Sequence, residues 1–382
     1  MSALKITKSQ ARKIWMHAQG LSTSKPFGSD ANATIKAIRK LGYVQIDTIN
    51  VIERCHHHIL FTRIPDYRRS HLHKAQSINK TIFEYWTHAL SYVPIEDYRY
   101  FVNNMQVWKN EPNKWYSSVT KRDVKNMVSS IAKQGPISIR DVSDQILIEK
   151  THPWGSRKPA KGVLQTAFHS GELVISERQG MLKKYEITDR HFGWQVRPKP
   201  ATKSEVIAYK VDRALRSQGI ISVNSTGHLE KAPVKKELLK NIEKRVKVGS
   251  LVPVQIEGIE KIQFWGEPNS LQDVYSIEDN LTHLLSPFDP LVIQRKRFQE
   301  FFEHDHKFEA YIPKEKRIFG YFALPVLIED KVAAVIDLKA DRQKSELLIQ
   351  QWTWLKKSKS TRNKALIESA LDRFEKFQFE LP

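Results

Sequence analysis

Cysteine is almost missing from this chain. Cys55 stands alone among 382 residues, which excludes an internal disulfide and any zinc site built on cysteine thiolates. Its place inside an apolar-periodic run makes it a packed core residue rather than a nucleophile. Long hydrophobic runs are missing too. The longest, Phe319 to Ile328, is broken by Pro325 and is too short for a membrane span. No basic amphipathic helix stands beside an apolar anchor, so membrane binding is not expected. No glycine-rich phosphate loop and no zinc-ligand spacing occur, which leaves ATP-driven and zinc-based mechanisms without support; no cofactor is expected. MSALKITKSQ at the N-terminus has neither an apolar signal core nor a small-residue cleavage site, so a cytoplasmic location is expected.

Negative charge is also scarce. Against 62 Lys and Arg there are 42 Asp and Glu, a net charge of +20 with a pI near 9.7. Such a field attracts phosphate backbones and weakens as salt rises, so nucleic acid is the leading expected partner. The competing reading is a basic enzyme with a solvated lysine surface. With 40% hydrophobic residues the chain can bury several cores, and several domains are expected.

Local signals divide it further. Thr7 with Gln10 forms a capping box ahead of Ala11, Ile14, Trp15 and Ala18, and predicts a helix closed by Gly20. Asp30 predicts the cap of a second helix that carries Ile35, Ile38 and Leu41 and stops at Gly42. After Gly42 the period drops to two, and beyond Asn50 a helical period returns through Ile52, Ile59 and Leu60. From Ile137 to Ile187 the pattern reads as a short helix around Ile139 and Val142, a second at Lys161 to Ser170, then strands Leu173 to Ile175 and Lys184 to Ile187 about a turn at Gln179 and Gly180. That is the winged-helix order, and it places Arg157, Lys158 and Lys161 at the start of the helix that such folds lay against DNA. Residues Ser204 to about Tyr275 repeat the order without a sequence repeat. The last hundred residues predict strands at Phe308 to Ile312, Arg317 to Leu324, Lys331 to Leu338 and Glu346 to Trp354, then a helix from Thr361.

The period-two segment puts Gln45 and Asp47 on one face, with attachment points about 6.5 to 7 Å apart, so both side chains can reach one water molecule. An acidic group in a cationic neighbourhood points to chemistry. The structural alternative for Asp47 is the N-cap of the following helix, and for Gln45 a surface strand position.

Four blocks resemble the YcaQ/AlkX and AlkZ family of winged-helix DNA glycosylases. They are Gln45-Ile46-Asp47-Thr48-Ile49-Asn50 with Arg54 and Leu60 to Arg63; Phe83-Glu84-Tyr85-Trp86-Thr87-His88; Ser286-Pro287-Phe288-Asp289-Pro290-Leu291-Val292 with Arg295; and Gly320-Tyr321 with Leu324 to Leu327 and Asp337 to Arg342. The resemblance implies an α+β protein of three tandem winged-helix units and a C-terminal β-rich domain: 1–120 carrying the motif, 121–200, 201–283 and 284–382. It also implies a monofunctional glycosylase acting on N7-alkylguanine and on interstrand crosslinks in double-stranded DNA, working as a monomer near the nucleoid. Gln45 and Asp47 match the Gln-x-Asp form of the family's catalytic motif. Where many relatives have Glu after the histidine of the Tyr-Trp-x-His block this chain has Ala89, so no second acid is assigned there.

The other candidates stay divided between roles. Arg54 and Arg63 are expected at DNA phosphates, or paired with Glu53 or Asp66. Tyr85 and Trp86 are expected to stack in the lesion pocket, or to fill the core. His56 is expected at phosphate or lesion. His56, His57 and His58 point about 100° apart on a helix and cannot share one ion, so no metal is assigned and solvent-facing positions are their plainest reading. Asp289, between two prolines, is expected in a rigid turn. A non-catalytic winged-helix regulator is the alternative function.

Overall fold

The computed structural model describes residues 3–111, 116, 118–142, 158–273, 275–355 and 357–380. Arg157 lies outside the described residues. The chain forms two compact units: one comprises Met1–His71, Thr87–Leu90 and Ile207–Pro382, the other Leu72–Trp86 and Ser91–Val206.

Among the described residues the chain runs three times through helix, short strand, helix, hairpin. The first run is Ala31–Leu41, Val44–Gln45, Cys55–Phe61 with Arg69–His73, then Ile82–Trp86 and Leu90–Pro94. Its opening helix is the one expected: Asp30 accepts from the Ala33 N–H, and Gly42 ends it at φ 80°. The second run is Lys121–Gln134, Ile137–Ser138, Pro159–His169, Leu173–Gln179 and Leu182–Ile187. The third is Lys203–Gln218, Ile220–Ile221, Val223–Thr226, Ala232–Lys247, Val252–Ile256 and Phe264–Gly266. In the second and third runs the short strand pairs with the last strand of the hairpin, Ile137 with Tyr185 and Ile221 with Trp265, which is winged-helix topology.

In the larger unit, Leu4–Ile6 adds in parallel to Val252–Ile256 and covers that sheet edge. Helix Lys8–Ala18 carries the expected Thr7–Gln10 capping box. It buries Trp15 edge-on to Phe301 at 5.1 Å, in a core shared with Leu291, Phe298 and Ile256. Four antiparallel strands follow, Thr282–Leu284, Ala323–Ile328, Lys331–Asp341 and Glu346–Trp354 in that spatial order. Helix Thr361–Phe379, capped by Ser360, turns Ile367, Phe374 and Phe377 inward. None of the described helices is long and apolar enough to cross a membrane.

Four expectations fail locally. The strand expected at Arg317–Leu324 starts only at Ala323 and runs to Ile328, because the backbone N–H groups of residues 318–322 are taken by the Glu309 and Asp337 carboxylates. Phe308–Ile312 is not a strand, because the buried Glu309 carboxylate accepts the backbone N–H groups of Ile318, Phe319 and Gly320 and folds the segment into a loop. Ile139 to Val142 is not helical: Asp141 accepts from the Ser138 N–H and hydroxyl and closes a turn. Helical structure after Asn50 begins only at Cys55.

Candidate active site

Asp47 sits in an extended loop, residues 46–54, rather than on a long strand. Its Oδ1 accepts the Ile49 N–H at 2.8 Å, an Asx turn, so it does not cap the helix that starts at Cys55. Asp47 is half-buried and keeps solvent access. Gln45 is 5% exposed, which rules out the surface-strand reading.

The loop is held at many points. Ile46 donates its N–H to Leu90 O at 2.8 Å, and Ala340 donates to Val51 O at 2.9 Å. Arg342 gives Nη2 to Asn50 O at 2.9 Å, to Asn50 Oδ1 at 3.0 Å and to Ile52 O at 3.2 Å. Glu53 accepts from Arg69 Nε at 2.8 Å and from the Arg54 N–H. Cys55 donates its thiol to Gln45 O at 3.1 Å; burial and the Asp47 carboxylate hold that thiol protonated, well above its ordinary range.

Behind Gln45 stands a residue to which sequence reasoning assigned no role. His88 Nε2 lies 3.0 Å from Gln45 Oε1. An amide oxygen only accepts, so His88 is the donor and carries its proton on Nε2. Burial, then the nearby His228 and Arg213, push His88 down to about 4, so it is neutral near pH 7. Its ring meets Tyr43 edge-on at 5.1 Å and His228 at 6.0 Å. Arg213 lies over the Tyr43 ring at 5.5 Å, in space that opens because residue 42 is glycine: a Cβ there would run into the Arg213 side chain. His88 belongs to one of the quoted blocks, but 43 positions separate it from Gln45, and no periodicity links them.

The remaining candidates divide. Arg63 is fully buried, and all five of its N–H groups are used: two go to Asp289 at 2.7 and 2.9 Å, the others to Gln19 O, Gln19 Oε1 and Ile59 O. Phosphate contact by Arg63 is therefore corrected to a structural pair, whose partner is neither Glu53 nor Asp66. His56 is 2% exposed, which removes it from phosphate or lesion in this conformation. His57 lies 2.7 Å from the Tyr67 hydroxyl and His58 donates to Leu284 O at 2.8 Å, so the plain reading of the three histidines as solvent-facing is corrected as well. Arg54 remains half-exposed.

In the second unit, Tyr85 is 2% exposed and donates its hydroxyl to His169 O at 2.7 Å; the core reading holds. Trp86, next on the strand, is 52% exposed and meets the His169 ring edge-on at 6.4 Å. Lys158 and Lys161 are exposed at the start of helix Pro159–His169.

The sequence of residues 38–377 matches the family described as DNA glycosylase AlkZ-like. The chain belongs to the AlkZ-like DNA glycosylase family. It is a DNA glycosylase, a hydrolase of N-glycosyl bonds. Among solved structures, Streptomyces sahachiroi DNA glycosylase AlkZ is similar over 99% of both chains, with a TM-score of 0.63 and 16% identity. That identity supports the shared fold, and the family membership rests on the sequence match.

Burial of histidine also sets an acid limit. His57, His58, His88 and His283 are each pushed from 6.5 to about 4, and His306 to about 3, with burial the largest cause. Between pH 6.5 and 4 the unfolded chain binds more protons than the folded one, so stability is greatest above about 6.5 and falls with pH below it. Urea midpoints measured from pH 7.5 to 4.5 are expected to drop steadily; a flat profile would contradict these burials.

Proposed function

We propose that this glycosylase is monofunctional, removes N7-alkylguanine and other alkylated purines from double-stranded DNA, and unhooks interstrand crosslinks through such bases. The observation that carries the reading is the pairing of a solvent-reaching Asp47 with a buried Gln45 whose amide oxygen is held by neutral His88. Alkylation at N7 already makes guanine cationic, so it leaves as a neutral base and needs little help from a general acid. The developing charge is on the sugar. Asp47 stabilises the oxocarbenium-like cation and accepts a proton from the attacking water. With Gln45 Oε1 engaged by His88, the amide N–H groups are left to orient that water. Neutral His88 fixes the amide without adding positive charge beside a forming cation. One carboxylate suffices because the leaving group is pre-activated, whereas sugar hydrolases pair two.

Duplex DNA is held by its backbone, with Arg54, Lys158 and Lys161 as phosphate contacts and Trp86 as a stacking surface. The protein acts as a monomer in the compartment that holds the DNA. The direct test is incubation with duplex bearing N7-methylguanine and chromatography for free base; no free base above spontaneous depurination after prolonged incubation would refute the reading.

Arg342 is a positioning residue in this scheme. Arg342→Ala should free the Asn50 to Ile52 backbone and lower kcat about tenfold with little change in KM, since misplacement of about 1 Å is enough for such losses. Arg342→Lys should recover some of it. An unchanged kcat would show that the loop holds Asp47 without this side chain.

A further inference from the structure

We propose that Leu229 is the wedge this protein inserts into the base stack of duplex DNA beside the damaged purine, an inference that rests on the glycosylase reading above. Leu229 is 72% exposed. It also has φ 61°, and it is the one apolar side chain among the six non-glycine residues with positive φ in the described structure. A left-handed backbone is unfavourable for a residue with a Cβ, and an exposed leucine recovers nothing by burial. Glycine would serve folding better at this position. The leucine is therefore explained by something outside the folded chain.

Its location says what that is. Leu229 lies in the short loop between helices Val223–Thr226 and Ala232–Lys247, the second of which is the helix that a winged-helix unit turns toward DNA. The preceding residue, His228, has its ring 6.0 Å from that of His88, which holds Gln45. The exposed side chain thus stands one residue from the inner wall of the candidate active site. Burial first, then Lys235 and Arg295, lower the pKa of His228, so two cations lie near the base of the loop, suited to the phosphates flanking an opened step.

The loop is also stiff. Glu230 donates its N–H to Gly227 O at 3.0 Å and its carboxylate pairs with Lys210, while Gly227 lies tight against Leu238. A rigid mount lets an apolar side chain push neighbouring bases apart instead of folding away from them. Leucine wedges of this type unstack a base step and kink the duplex. Opening the step exposes the deoxyribose face of the lesion to a carboxylate that cannot enter an intact stack.

The test uses a duplex with one N7-methylguanine next to 2-aminopurine. In the Asp47→Asn protein, which leaves the damaged base attached, binding should raise 2-aminopurine fluorescence several-fold, and adding Leu229→Gly should abolish the rise. In the otherwise native protein, Leu229→Ala and Leu229→Gly should slow release of N7-methylguanine from duplex about tenfold or more, and Leu229→Met should restore it. Opposite an abasic gap, where the stack is already open, the loss should shrink to within about twofold. Leu229→Gly should melt no lower than the native protein, which separates the effect from misfolding. Unstacking that survives Leu229→Gly, or equal losses on the intact duplex and the gapped one, would overturn the proposal. Absence of base release by the native protein would refute the glycosylase reading, while the fluorescence arm, which needs no catalysis, would still decide the wedge.

Discussion

Asp47→Asn is expected to lower release of N7-methylguanine from duplex DNA by about three orders of magnitude while leaving duplex affinity almost unchanged. Two contributions are lost together. Asparagine carries no charge to oppose the cation forming on the sugar, an effect of about 10²- to 10³-fold when one such group is removed, and it cannot accept the proton of the attacking water, worth about 10²- to 10⁴-fold. The two overlap because they act in one transition state, so their product is an upper bound. The substitution is nearly isosteric, and the Asx turn survives because the amide oxygen can still accept the Ile49 N–H. Removing a negative charge from a protein that binds a polyanion should, if anything, tighten the complex. Single-turnover release alongside fluorescence anisotropy on the same duplex separates the two. Retained release would exclude Asp47 from the chemistry; loss of binding in step with release would make it a structural residue.

The second large effect concerns stability. Asp289→Ala should destabilise the larger unit by about 3–5 kcal/mol, because Arg63 would remain charged and buried with no counter-ion. Both side chains are 0% exposed, and Asp289 also accepts the Leu291 N–H at 2.9 Å, so the loss reaches the turn before helix Arg295–Phe302. Replacing both partners with apolar side chains, Arg63→Met with Asp289→Leu, should recover some of the loss, since no lone charge is left behind. The remainder persists, because Gln19 and Ile59 lose the donors Arg63 supplied to their oxygens. Urea unfolding followed through buried Trp15 would measure both. A single substitution costing less than about 1 kcal/mol would mean that water reaches the pair.

Elements whose cause lies within a few residues were legible in the sequence. The Thr7–Gln10 box, the Asp30 cap and the Gly42 stop each involve neighbours within one or two turns, and helix and loop appear where those residues require. The hairpin at Gln179 and Gly180 was legible for the same reason. Phe308–Ile312 misled because its alternation is genuine, yet a carboxylate inside the segment captures backbone donors about ten residues away and outcompetes a strand ladder. Arg63 misled because a basic residue in a basic chain reads as a phosphate ligand, when its partner Asp289 lies 226 positions further on.

By itself, then, the sequence determined the chain's cationic character and the order of helix, strand and hairpin, since charge, capping and period-two alternation are properties of composition and near neighbours. The tertiary structure alone decided which groups attend Gln45 and Asp47: His88 on Gln45, Arg342 and Ala340 on the loop, Cys55 beneath it. The same holds for Arg63, which folding turns inward to a buried carboxylate. Those contacts join residues up to about 290 positions apart, and only the burial of the cores between them brings the partners within hydrogen-bonding distance.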